Sequence, residues 1–148
     1  MKINIGNFVK NDLQRMDIRI EKFDTYNTDC TLAHIILPML IQHRNTHHGI
    51  PGNLSTAGGE EWDTQLSFDF YRDSNAEAFD ICCERWNELL DKMIWAFEQV
   101  IDDTSRDKYF NTPDTGNHWY DRIGHDLHEA RIQEGLSLFG EYYRALWD

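Results

Sequence analysis

Two histidines and a glutamate lie within five residues of one another late in the sequence. His125, His128 and Glu129 follow the three- and four-residue spacing of a helix, so they share one side of it. Two imidazole nitrogens and a carboxylate are ligands that zinc and iron accept in helical sites. The trio therefore predicts a divalent-metal site as one interpretation, and histidines hydrogen-bonded to buried carbonyls or carboxylates as the simpler one.

A second polar cluster leads into an almost wholly apolar segment. Asp24, Tyr26 and Asp29 come just before it, His34 lies inside it, and Pro38 removes the amide that would bond the His34 carbonyl. A buried polar group without a partner costs about 1 to 3 kcal/mol. The segment therefore predicts a binding site at Asp24, Tyr26, Asp29 and His34, with helix capping as the alternative. Asp24, Asp29 and His34 are also candidates for the missing metal ligands.

Arginines are the residues that would hold an anionic, nucleotide-like ligand. Arg122 and Arg131 lie on the same predicted helix as the histidines, and Arg44 follows the apolar segment. The chain has no glycine-rich phosphate loop followed by Lys-Ser/Thr, and no Gly-x-Ser-x-Gly elbow. No signature of catalysis appears, so we expect a binding protein rather than an enzyme.

Helices must position most of these residues. Apolar side chains recur at helical intervals in residues 31–43, 76–102 and 119–147. The first segment is apolar on nearly every face, which predicts a central helix. In the second, Cys83, Trp86 and Leu90 mark the inward face. In the third, Gly135 and Gly140 indicate close contact with another helix, since glycine weakens a helix by about 1 kcal/mol relative to alanine.

Alternating apolar and polar residues predict three short strands, at residues 3–5, 18–23 and 62–70, joined in one sheet. The expected fold class is therefore α+β and mainly helical, with three or so helices packed with a small antiparallel sheet. A length of 148 residues predicts a single domain covering residues 1–148.

The net charge of the chain limits the kinds of molecule that it can bind. The chain carries 26 acidic and 14 basic side chains, a formal net charge of -12. That charge repels phosphate backbones and anionic lipid surfaces, so we expect no direct nucleic-acid or membrane binding. It favours a partner with a basic surface. Part of the charge forms an acidic stripe at helical spacing, made of Glu77, Asp80, Glu84, Glu88, Asp91, Glu98 and Asp102.

Four stretches carry a resemblance to known proteins. They are DTYNTD (24–29), TLAHIILPML (31–40), Trp86 with LDKMIWAFE (90–98), and GLSLFGEYY (135–143) with Leu146 and Trp147. Together they resemble a family of small acidic proteins of tailed (T4-like) bacteriophages, with Tyr26 where the family commonly has Trp. The family is uncharacterised, so the resemblance implies a setting, the cytoplasm of an infected bacterium, and no catalytic residues.

This setting implies a non-enzymatic accessory protein that binds and blocks a host factor. The expected target is a host protein with a basic surface, such as a defence protein, or a nucleotide-like signal of host immunity. Two alternatives stay open: a metal-dependent hydrolase using His125, His128 and Glu129, and a component of the virion or its assembly.

Overall fold

Helices dominate the part of the chain that the structure describes. The structure is a computed structural model that describes residues 2–9, 13–47, 49–51, 54, 74–111 and 119–147, with side chains from residue 18 onward except 74–79, 111 and 119. It has three long helices: α1 (Thr28–Thr46), α2 (Ser74–Ile101) and α3 (Arg122–Tyr142). The prediction of a mainly helical protein is confirmed. Within these ranges, no helix has both the length and the apolar character needed to cross a bilayer.

The described strands form two separate antiparallel pairs. β1 (Lys2–Val9) pairs antiparallel with β2 (Leu13–Arg19), and β3 (Phe110–Asn111) pairs antiparallel with β4 (Trp119–Tyr120). One sheet packed with the helices, as the sequence predicts, is not shown. The strand expected at residues 62–70 lies outside the described residues.

The centre of the helical part is α2, which packs against both α1 and α3. One face of α2 carries fully buried side chains, because its apolar residues return every three or four positions. The buried apolar side chains of the three helices are Ala33 and Leu40 of α1, Cys82, Trp86, Leu90, Met93, Ala96 and Phe97 of α2, and Ile132 and Tyr142 of α3. The inward face predicted for α2 is confirmed at Trp86 and Leu90.

Some details differ from the sequence predictions. α1 flanks α2 rather than lying in the centre, and its apolar side chains Leu32, Met39 and Ile41 are exposed. On α2 the buried cysteine is Cys82, and Cys83 is half-buried. α1 continues through Pro38. A helix that touches one neighbour along one side has room to expose an apolar residue on its other sides.

Polar side chains join each outer helix to α2. The Arg44 guanidinium donates to both oxygens of Asp91, at 3.0 and 3.4 Å, linking α1 to α2. The Lys92 ammonium donates to Glu134 of α3 at 2.7 Å. Lys92 therefore has a partner on another helix.

A glycine sets how closely α2 and α3 approach. A Cβ atom added at Gly135 would lie 2.5 Å from the Ala96 Cβ and 2.6 Å from the Lys92 carbonyl oxygen. Both are closer than van der Waals contact allows. The predicted close helix contact is confirmed at Gly135. At Gly140 no atom of another helix in the described part of the chain lies within 4 Å of an added Cβ, so the prediction is wrong there.

We expect Gly135→Ala to destabilise the protein relative to Gly140→Ala. Both changes gain similar helix propensity, so the difference between the two free energies of unfolding isolates the clash, about 1 to 3 kcal/mol. Urea denaturation followed by circular dichroism measures it. Equal stability of the two variants would contradict the close contact.

Candidate functional site

The polar segment before α1 forms local capping contacts. One Asp24 carboxylate oxygen accepts a hydrogen bond from the Glu21 amide at 2.8 Å. Tyr26 is 86% exposed, and Asp29 is exposed in the first turn of α1, where a negative charge suits the helix dipole. The His34 Nδ1 lies 2.8 Å from the Cys30 carbonyl oxygen, one turn back. Capping thus accounts for the Asp24 carboxylate, and a binding site at Asp24, Tyr26, Asp29 and His34 stays a prediction.

The two histidines of α3 are held by the turn and hairpin that precede the helix. Asp121 caps α3, since its carboxylate accepts from the Gly124 amide at 2.9 Å, and its own amide donates to the Tyr109 carbonyl at 2.9 Å. Across the β3–β4 pair, the rings of Phe110 and Tyr120 stack with centroids 4.8 Å apart. These contacts bring Tyr109 against the first two turns of α3.

Aromatic rings surround both imidazoles. The Tyr109 ring centroid lies 5.9 Å from that of His125 and 5.4 Å from that of His128. Trp95 of α2 meets His128 edge to face at 5.4 Å, and Tyr120 meets His125 at 5.5 Å. We call His125, His128 and these three aromatic residues the histidine cluster. His128 is only 6% exposed, so it lies in an apolar, ring-lined environment.

A guanidinium holds the carboxylate that the metal hypothesis needs. Arg106 donates to both oxygens of Glu129, at 2.6 and 3.3 Å. This bond lowers the pKa of Glu129 and raises the pKa of Arg106. The negative charge of Asp29 raises the Arg106 pKa further. Arg106 thus occupies both oxygens of the Glu129 carboxylate, which a metal ion would need.

Two imidazole nitrogens in the cluster lack a hydrogen-bond partner. They are the His125 Nδ1 and the His128 Nε2, both shielded from solvent. The nearest carboxylate to the His125 Nδ1 is that of Asp126 at 3.7 Å, beyond hydrogen-bond length. The simpler sequence interpretation, histidines satisfied by buried acceptors, is therefore not what these two atoms show. A water or a small polar ligand at each nitrogen would supply the missing hydrogen bond.

This geometry gives little support to a metal site at the two histidines and Glu129. Within the described residues, no group of three or more histidine, cysteine or acidic side chains is arranged to hold a metal ion. The His125 Nε2 lies 3.9 Å from the Glu129 carboxylate. A divalent metal at His125, His128 and Glu129 stays a prediction, and it would have to displace Arg106.

The predicted arginines do not converge on one ligand. Arg131 stacks on Trp95, with its guanidinium carbon 3.8 Å from the ring centroid. Arg122 forms an ion pair with Asp126 at 3.5 Å, and Arg44 forms one with Asp91 at 3.0 Å. Among the described residues, the three therefore supply no joint anion site.

The acidic stripe lies on the solvent side of α2. Every described member is exposed: Asp80, Glu84, Glu88, Asp91, Glu98 and Asp102. Asp91 binds Arg44, and Asp102 accepts from Thr104. No described basic side chain pairs with the other four. Glu77 lies outside the described side chains.

Sequence reasoning missed Arg106, Trp95 and Tyr109. Arg106 and Tyr109 fall in a segment that reads as a loop, and Trp95 lies off the apolar series of α2. Their partners on α3 are 16 or more residues away, and spacing along a helix carries no information about such pairs. The aromatic content of the chain, 13%, is the sequence signal that could have indicated ring-lined surroundings.

No protein-family model, no curated protein and no solved structure matches the chain. Arguments about function therefore rest on the geometry and on the resemblance stated above.

We expect stability to fall as the pH falls through the range where histidine titrates. Burial lowers the pKa of His128, and the positive charges of Lys108, Arg106 and His125 lower it further, while Glu129 raises it. In the unfolded chain the imidazole titrates near its usual value of about 6.5. Between that value and the lowered folded pKa, only the unfolded state is protonated, so acid favours unfolding.

The measurement is the free energy of unfolding in urea from about pH 7 to about pH 5. His128→Phe should flatten the dependence, and Lys108→Gln should weaken it by removing one positive charge beside the imidazole. Arg122→Gln removes a charge elsewhere on the surface and is the control. If His128→Phe loses as much free energy of unfolding at low pH as the parent does, another group causes the loss.

Proposed function

We propose that the protein is a non-enzymatic accessory protein of a bacteriophage that binds a basic host protein and blocks it. The observation that carries the proposal is the acidic stripe, in which Asp80, Glu84, Glu88 and Glu98 are exposed without a basic partner among the described residues. From Asp80 to Glu98 the stripe runs about 27 Å along α2. A rigid row of negative charge of this length suits the basic surface of a host protein, such as a defence protein that handles nucleic acid.

The stripe costs stability in the isolated protein. Asp80 and Glu84, and Glu84 and Glu88, are spaced four residues apart, so each pair repels by about 0.2 to 0.5 kcal/mol. A basic partner removes this repulsion on binding. The core does not depend on these side chains, because they lie on the side of α2 away from Trp86. Their placement therefore suits binding better than folding.

Among the described residues, the Cys30 Sγ lies 3.8 Å from the His34 Nδ1, and the same nitrogen lies 2.8 Å from the Cys30 carbonyl oxygen. Because the backbone carbonyl competes for this nitrogen, the contact does not make His34 an effective base for the thiol, which favours a binding role over catalysis. A nucleotide-like ligand is less well supported than a protein partner, since Arg44, Arg122 and Arg131 each engage a different neighbour. The metal-dependent hydrolase would first need Glu129 freed from Arg106.

Substituting three stripe residues should abolish partner binding without unfolding the protein. In the stripe variant, Glu84→Gln, Glu88→Gln and Glu98→Gln, partner capture from bacterial lysate should fall at least tenfold, because charge complementarity drives association. Thermal unfolding should stay at or slightly above that of the parent. Immobilised protein, elution with about 0.5 M salt and mass spectrometry identify the captured protein.

The matched control removes the same number of charges elsewhere: Asp103→Asn, Asp107→Asn and Glu141→Gln, all at exposed positions. It should capture the same protein as the parent. Equal capture by the stripe variant, or equal loss in both variants, would reject the stripe as the binding surface.

A further inference from the structure

An open apolar groove lies between α1 and the end of α3. Met39 and His43 line it from α1, and Phe139, Tyr143 and Trp147 line it from α3 and the residues that follow. Its volume is about 560 Å³, and a shallower extension along α1 adds Pro38, Gln42 and Thr46. Small-molecule sites have volumes of about 300 to 1,000 Å³ and mostly apolar linings.

The lining is exposed to an unusual degree for apolar residues. Met39 is 60% exposed, Tyr143 is 65% exposed and Trp147 is 76% exposed. Tyr142, the neighbour of Tyr143, is buried against Trp86 with ring centroids 5.3 Å apart. Met39, Tyr143 and Trp147 therefore form a surface beside the core, whereas Leu40, which also lines the groove, belongs to the core.

The charge of the groove is opposite to that of the protein. The chain has 26 acidic side chains, yet none of the described lining residues is acidic. Among the described lining residues, Arg144 is the one with a permanent charge, and no described side chain pairs with it. An apolar surface with a single cation at its edge complements a ligand with a hydrocarbon body and a single negative charge.

We propose that the groove binds an amphipathic anion of the fatty-acid class, with the hydrocarbon chain along Met39 and Phe139 and the carboxylate at Arg144. A basic protein is excluded as the occupant by the same charge argument, and protein partners generally cover larger, flatter areas of about 800 Å². The groove is formed by other residues than the acidic stripe of α2, so this binding does not depend on the proposed function.

Two series of probes test the ligand class. Affinity for octanoate, nonanoate and decanoate, below their micelle concentrations, should rise about fourfold for each added methylene, as expected for burial of hydrocarbon. Decyltrimethylammonium, with the same chain and a positive charge, should bind at least tenfold more weakly than decanoate. Tryptophan fluorescence reports binding, and Trp147→Phe identifies the signal from the groove.

Surface substitutions test the location. Arg144→Gln should remove the preference for decanoate over the cationic probe, and Met39→Glu should abolish decanoate binding by placing a carboxylate in the groove. Leu127→Glu is the matched control, since Leu127 is a 67% exposed apolar residue of α3 outside the lining. It should bind decanoate like the parent. Thermal unfolding of each variant establishes that it folds.

Three outcomes would overturn the proposal: no saturable binding of decanoate, equal affinity for the cationic probe, or equal loss in Leu127→Glu and Met39→Glu. Sedimentation velocity tests the alternative occupant of the groove, a second copy of the chain. If the parent is a dimer that Met39→Glu dissociates, the groove is an interface between two copies and not a fatty-acid site.

Discussion

Burial of one face of α2 is the constraint on which the described structure depends. Trp86, Leu90 and Met93 are fully buried, and α1 and α3 each pack against this helix. Two neighbours cannot surround a helix, so the side of α2 opposite these residues remains in water. The acidic residues occur at helical intervals on that opposite side, which is why one sequence pattern produces both the core and the acidic stripe.

Ion pairs with basic side chains of other elements then determine which acidic side chains remain unpaired. Asp91, Glu129 and Glu134 are each bound by a basic side chain from another element. These pairs are partly exposed, so each contributes at most about 1 kcal/mol and helps to fix the positions of the helices. His47 adds a hydrogen bond of 2.8 Å to Asn87 of α2 at the end of α1. The unpaired stripe carboxylates are those that no outer helix reaches.

The periodicity of the apolar residues predicted the helices and their buried faces, but it could not decide which of two adjacent residues is buried. Three- and four-residue steps from Ile132 lead to Tyr143 and predict that it is buried, whereas the structure buries Tyr142 and exposes Tyr143. Adjacent residues differ by about 100° around a helix, so a boundary residue is assigned only by the partner helix. The histidine trio shares one side of α3 as its spacing predicts. Its surroundings could not be predicted, because Arg106 and Tyr109 come from a different part of the chain.

The proposed occupants of the stripe and the groove carry opposite charges, so binding of one would affect binding of the other. A net charge of -12 repels an anion approaching Arg144, and screening at physiological salt limits that repulsion to about 8 Å. A basic partner on the stripe would neutralise part of this field and so reduce the work of bringing a carboxylate to the groove. The coupling free energy is the same in both directions, so an anion in the groove would also strengthen binding of the basic partner. Because the screening length is short, only the stripe carboxylates within about that distance of Arg144 would contribute to the coupling, whatever the total charge.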